Sequence, residues 1–182
     1  SLSLAAMSAP PETSVRARLA GYLALTKPRI IELLLVTTVP TMFVAQQGVP
    51  SAWLIVATMV GGTLAAGGAN AINMVIDLDI DRVMERTRSR PLVTGVVGTT
   101  EAMVFATSLE VVAFIWLVVT VNLLSAVLAV SATAFYVLVY SMWLKRISTT
   151  NIVVGGAAGA VPVLVGWSAV TGSLDWPPII LF

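Results

Sequence analysis

The sequence predicts an all-α protein, a polytopic bundle of transmembrane helices, and three observations carry that expectation. Hydrophobic residues fill 58% of the 182 positions, charged residues only 10%, and the mean hydropathy is +0.96. A water-soluble domain has nowhere to hide that much apolar surface. Several windows run about twenty residues with at most one ionisable group, the length needed to cross a hydrocarbon core of roughly 30 Å. All ten Lys and Arg residues fall in three short clusters, at 16–29, 82–90 and 145–146.

Taken in order, residues 1–15 are polar and Pro-containing (SAPPETS). They have no apolar core before a small-residue cleavage site, so they read as a disordered tail rather than a signal peptide. Residues 16–182 read as part of one transmembrane domain, with spans at 29–46, 52–76, 101–121, 124–143 and 152–171 and a sixth beginning near Pro177. Because the last segment, DWPPIILF, stops without a polar terminus, the expectation is a chain truncated at its C-terminus within a longer protein. The connections 47–51, 122–124 and 172–177 hold no Lys or Arg, whereas 16–29, 77–100 and 144–151 hold all ten. That split places the N-terminus and both basic loops in the cytoplasm of a cell-membrane protein. Arg16 and Arg18 read as topology determinants. Gly61, Gly62, Gly67 and Gly68 with Ala65, Ala66 and Ala69 give the second span a small-residue face, and Gly155, Gly156, Ala158, Gly159 and Gly166 do so for the fifth. Such faces let helices approach closely.

The chain has no Cys and no His. A disulfide framework and a thiolate site are therefore excluded, and any metal must be held by oxygen, which favours Mg²⁺. The oxygens are at the end of the second span, where residues 73–81 read NMVIDLDID. On a continuing helix Asn73, Asp77 and Asp81 are spaced i, i+4 and i+8, on one face over about 12 Å of axis. Asp79 points nearly the opposite way, to solvent or a basic partner. Two carboxylates and an amide aimed at one place near a membrane are costly unless a cation or hydrogen bonds compensate them. Two readings follow. Either the acids pair with Arg82, Arg86, Arg88 and Arg90 in a plain interfacial loop, or carboxylate-held metal and cationic side chains together hold a diphosphate. For the second, the cations are Lys27, Arg29, Arg86, Arg90, Lys145 and Arg146.

Residues 73–92, NMVIDLDIDRVMERTRSRPL, resemble the first Asp-rich motif of the UbiA superfamily of intramembrane prenyltransferases, N-x-x-x-D-x-x-x-D. MERTRSRPL (84–92), LTKPRIIEL (25–33) and YSMWLKRISTTNIVVGGAAGAVPVLVGWSAVTG (140–172) look specifically like the protohaem IX farnesyltransferase (haem O synthase) branch. The resemblance covers residues 20–182 in order. It implies a nine-helix bundle around a central cavity, of which about five helices and the start of a sixth are present here. It also implies Mg²⁺-assisted binding of farnesyl diphosphate at Asn73, Asp77 and Asp81, catalytic in that role, with haem b as acceptor. The second Asp-rich motif would lie beyond Phe182. A downstream haem-modifying enzyme would take the product, and no nucleic-acid partner is expected.

Several residues keep two readings. Tyr140 and Ser141, one turn before Lys145, face the substrate or pack in the core. Glu110, near the middle of the third span, is protonated, paired inside the bundle or lining the cavity. Glu32 is expected to pair with Lys27 or Arg29. The seven Met read as core filler rather than haem ligands. Rival functions are a related prenyltransferase acting on a quinone precursor or chlorin, a cation-coupled transporter, and a structural subunit. A transporter would put its acids nearer the membrane midplane, and a structural subunit would have no need of the acidic triad.

Overall fold

A computed structural model describes residues 14–144 and 151–182. Its elements are α1 (Val15–Thr26), α2 (Pro28–Gln46), α3 (Ala52–Ile76), α4 (Leu78–Val83), a 3₁₀ turn (Glu85–Thr87), α5 (Thr99–Thr120), α6 (Leu123–Phe135) continuing as a π-helix (Tyr136–Leu144), α7 (Asn151–Thr171) and α8 (Trp176–Leu181). Helices α2, α3 and α5 are long and apolar enough to cross a membrane. Their outward faces carry Leu33, Val36, Val104 and Val119, each more than 60% exposed. Apolar residues exposed in rows on long helices suit lipid rather than water.

The expected spans match α2, α3, α5, α7 and α8 to within two residues at the ends compared, and the differences lie elsewhere. The segment expected as a basic loop, 16–29, is mostly helix α1. The hydroxyl oxygen of Ser14 accepts from the Ala17 amide at 3.2 Å and starts it. Lys27 ends it in a left-handed conformation with φ 51°, and Pro28 then opens α2. The fourth span, expected as one α-helix, changes to π geometry from Tyr136. Residues 1–13 of the expected tail lie outside the described residues, as do Lys145 and Arg146.

Helix α3 is central and packs against α1, α2, α5, α6 and α7. Its small residues allow this. A Cβ on Gly68 would stand 2.7 Å from Glu110 Oε1 and 3.0 Å from the Ala106 carbonyl oxygen, so α3 and α5 meet at this distance only with glycine there. On α7, a Cβ on Gly166 would stand 2.6 Å from the Thr38 carbonyl oxygen of α2. At the end away from the acidic residues, Asn122 caps α6 through the Ser125 amide (2.8 Å) and donates to the Ser168 carbonyl (2.8 Å), tying the α5–α6 turn to α7.

Between α2, α3, α6 and α7 lies a cavity of about 240 Å³, lined mainly by apolar groups such as Ile31, Leu34, Ala65, Ala66, Pro162 and Val165. Asn70, Thr133 and Tyr136 also reach its wall.

Candidate active site

The acidic helix end is one buried face. Asn73, Asp77 and Asp81 retain only 3%, 2% and 4% of their exposure, whereas Asp79 is exposed. Helix α3 formally stops at Ile76, and Asp77 takes φ −84° and ψ 2° before α4 begins. The hydrogen-bond ladder nevertheless crosses the break, because the Asp77 amide donates to the Asn73 carbonyl at 3.0 Å and the Asp81 amide to the Asp77 carbonyl at 2.8 Å. Four-residue steps are kept, so the three side chains stay on one face.

The chain after Asp81 folds back over it. The Arg90 guanidinium donates through Nη1 to Asp81 Oδ2, with the Asp81 side chain 6% and the Arg90 side chain 23% exposed. Thr87, 2% exposed, donates its hydroxyl to the Asp81 backbone carbonyl at 2.9 Å. Of the four arginines offered as partners for the acids, Arg90 alone makes an ion pair among the described residues; Arg82, Arg86 and Arg88 are exposed. Arg86, grouped with Arg90 as a phosphate ligand, thus sits apart from it at the surface, and Arg90 is already committed to a carboxylate.

Two further elements converge on this face. From the π-helix, Ser141 donates its hydroxyl to Asn73 Oδ1 at 2.6 Å. From the α1–α2 corner, the Thr26 carbonyl accepts from Asn70 Nδ2 at 3.0 Å, one turn before Asn73. That bond fixes the corner carrying half-buried Lys27 and exposed Arg29 against α3. Asn70 also lines the apolar cavity, so cavity and acidic face adjoin along α3. The Tyr140 side chain lies outside the described residues.

The remaining charged positions settle differently from expectation. Glu32 is exposed and makes no ion pair among the described residues, so the expected pairing with Lys27 or Arg29 is not formed. Arg18 is more than a topology determinant: its Nη2 donates to both carboxylate oxygens of Glu101, at 2.9 and 3.0 Å, and joins α1 to the start of α5. Glu110 is paired inside the bundle, accepting from the Thr133 hydroxyl at 3.0 Å through Oε1. Thr133 lines the cavity and Glu110 sits behind it.

Asn70, Thr87 and the link from Ser141 to Asn73 were not foreseen as site features. Asn70 had a signal, a second amide on the Asn73 side of an otherwise apolar helix. Thr87 had none, being hidden in the charge run ERTRSR.

The donor set fits a hard divalent cation. Two buried carboxylates and an amide supply the oxygen donors, and no group of three or more His, Cys, Asp or Glu converges among the described residues. A cation held by so few protein ligands completes its shell with phosphate oxygens and water, which is how Mg²⁺ is commonly bound.

Comparison with known sequences gives this arrangement a lineage. The profile of the UbiA prenyltransferase family matches residues 34–182. The chain belongs to the UbiA prenyltransferase family. It is 57% identical over 172 residues to protoheme IX farnesyltransferase 1 of Saccharopolyspora erythraea, covering 94% of this chain and 55% of that one. It is 60% identical over 162 residues to the protoheme IX farnesyltransferase of Clavibacter sepedonicus (89% and 53%) and 52% identical over 183 residues to that of Mycobacterium avium (100% and 59%). The chain therefore spans somewhat more than half the length of these UbiA relatives. Its fold is that of a UbiA homologue from Archaeoglobus fulgidus whose structure holds DMAPP and Mg²⁺, with a TM-score of 0.67 at 19% identity over 85% of this chain and 56% of the other.

Proposed function

We propose that the protein takes part in transferring the farnesyl group of farnesyl diphosphate to a vinyl group of protohaem IX (haem b), giving haem O. The observation that carries this is the junction at Asn70 and Asn73: a buried oxygen-rich face adjoins an apolar cavity on the same helix. A prenyl diphosphate has the matching form, an anionic head on an apolar tail. The high identity to several protoheme IX farnesyltransferases supports haem b as the acceptor.

Asn73, Asp77 and Asp81 would hold Mg²⁺. Bound there, Mg²⁺ supplies Lewis-acid neutralisation of the charge that develops on the leaving diphosphate. Arg90 and Thr87 keep Asp81 in place, the first through its carboxylate and the second through its carbonyl. Lys27 and Arg29, held on α3 through Thr26, and Lys145 and Arg146 after the π-helix would donate to phosphate oxygens. Arg86, on the exposed turn, would contribute only to the field around the site. The cavity wall of Ile31, Leu34, Ala65 and Val165 keeps water from the allylic carbon, where an early encounter would give farnesol. The vinyl carbon attacks the farnesyl carbon as the bond to diphosphate breaks. Water then adds to the resulting cation and releases a proton, leaving a hydroxyethylfarnesyl side chain. The N-terminus and the basic loops would face the cytoplasm, where both substrates can reach the site.

The deciding experiment supplies the intact protein, in membranes, with haem b, farnesyl diphosphate and Mg²⁺ and follows products by mass spectrometry. Haem O formed only with divalent metal is the expected result. Prenylation of 4-hydroxybenzoate without haem O would replace the acceptor, and solute flux without diphosphate release would replace the enzyme reading altogether.

A further inference from the structure

Ser141 is fully buried, and its hydroxyl oxygen lies 2.6 Å from Asn73 Oδ1 and 3.1 Å from the carbonyl oxygen of Tyr136. A serine hydroxyl carries one hydrogen, so it serves one of these two acceptors at a time. The π-helix creates the choice. With Ser141 five positions after Tyr136, the Tyr136 carbonyl sits within reach of the side chain while that side chain still meets α3.

Of the two contacts, the one to Asn73 is the shorter. The amide oxygen thereby accepts a hydrogen bond from α6's π-helical continuation. That bond uses one of the two lone pairs of Asn73 Oδ1, and moving the hydrogen elsewhere frees both for a cation. A second arrangement satisfies the same atoms. The Ser141 hydroxyl donates to the Tyr136 carbonyl, the Asn73 amide is turned end for end so that Nδ2 donates to Ser141 Oγ, and Asn73 Oδ1 is released toward Asp77 and Asp81. No backbone movement is needed, because the amide is planar and its two ends are nearly the same size.

We propose that Ser141 is the positioning residue of the metal site: its single hydroxyl hydrogen passes from Asn73 Oδ1 to the Tyr136 carbonyl when a divalent cation binds, and this locks Asn73 with its oxygen toward the cation. Ser141 then acts through Asn73 and touches no substrate. The inference rests on the proposed Mg²⁺ site at Asn73, Asp77 and Asp81.

The test is Mn²⁺ binding, as a paramagnetic stand-in for Mg²⁺, followed by electron paramagnetic resonance on the intact protein with inorganic diphosphate present. Ser141→Ala should weaken binding about three- to tenfold, the loss of one orienting hydrogen bond. Ser141→Thr, which keeps the hydroxyl, should stay within about twofold of the parent, and Ser141→Ala in an Asn73→Ala background should add no further loss. The idea is overturned if Ser141→Ala binds like the parent, if Ser141→Thr loses as much as Ser141→Ala, or if the Ser141→Ala loss persists undiminished beside Asn73→Ala. A parent protein with no Mn²⁺ site that Asp77→Ala removes would instead refute the metal site itself.

Discussion

Two carboxyl regions, one buried at a helix end and one half-buried within the bundle, differ in their surroundings. Asp77 and Asp81 sit at the end of α3, where the chain turns and other segments can reach them: a guanidinium on Asp81, a threonine on its backbone, a serine on the neighbouring asparagine. Glu110 sits within α5, inside the bundle, and accepts the Thr133 hydroxyl of α6. An ionic site needs several polar partners to offset desolvation. Loops and helix ends supply them, and the interior of a bundle does not. On the proposed reading the acidic face holds charge, whereas Glu110 serves packing.

The largest expected effect breaks the first region. Asp77→Ala or Asp81→Ala should lower the turnover of the intact enzyme by about a thousandfold or more, the scale on which loss of preorganised charge stabilisation acts. Circular dichroism should still report a folded bundle. Haem O formation near the parent rate in either variant would remove the acidic face from the mechanism.

Arg90→Ala comes next. It leaves a 6%-exposed Asp81 side chain without its counter-charge, which is more damaging than never having had the pair. Partial exposure of Arg90 moderates this, and a loss of about ten- to a hundredfold in kcat/KM with a lower melting temperature is expected. Arg86→Ala, on the exposed turn, is the control, with an effect below about threefold. Equal losses from both would show that the run acts as a diffuse positive field rather than through one placed guanidinium.

These two regions were not equally legible in the sequence. The spans and the Asn73–Asp77–Asp81 face could be read, because apolar length and four-residue spacing are local properties. Which arginine serves Asp81 could not, since MERTRSRP offers three at similar distance along the chain, and the 3₁₀ turn with its Thr87 bond makes the selection. The helix α1 was hidden for a related reason. Its basic residues suggested a loop, while the signals for helix were a single capping serine and a Lys-Pro break. The π-helix has no compositional mark at all, although it sets which side chain meets Asn73.

The second region can be broken through its glycine. Gly68→Ala places a methyl group 2.7 Å from Glu110 Oε1 and 3.0 Å from the Ala106 carbonyl oxygen. The α3–α5 contact must widen, and a destabilisation of about 1–3 kcal/mol is expected for such overpacking, measured by thermal unfolding in detergent. Adding Glu110→Ala should recover part of that loss by removing one of the two obstructions, whereas the carbonyl remains. Full additivity of the two substitutions would mean that the helices are not held apart at this point.

The smallest effect is the one that separates the two carboxyl regions most directly. Glu110→Gln keeps an oxygen for the Thr133 hydroxyl and nearly the same shape, while removing any ability to carry charge. If Glu110 serves packing, haem O formation and the melting temperature should both stay close to the parent, within about twofold in rate. The same exchange at the helix end, Asp81→Asn, should behave like Asp81→Ala, because an amide retains the shape but neither offsets the Arg90 guanidinium nor binds a divalent cation as a carboxylate does. A Glu110→Gln variant as inactive as Asp81→Asn would show that the carboxyl charge behind the cavity takes part in the reaction, and that depth in the bundle does not by itself separate a packing carboxyl from a working one.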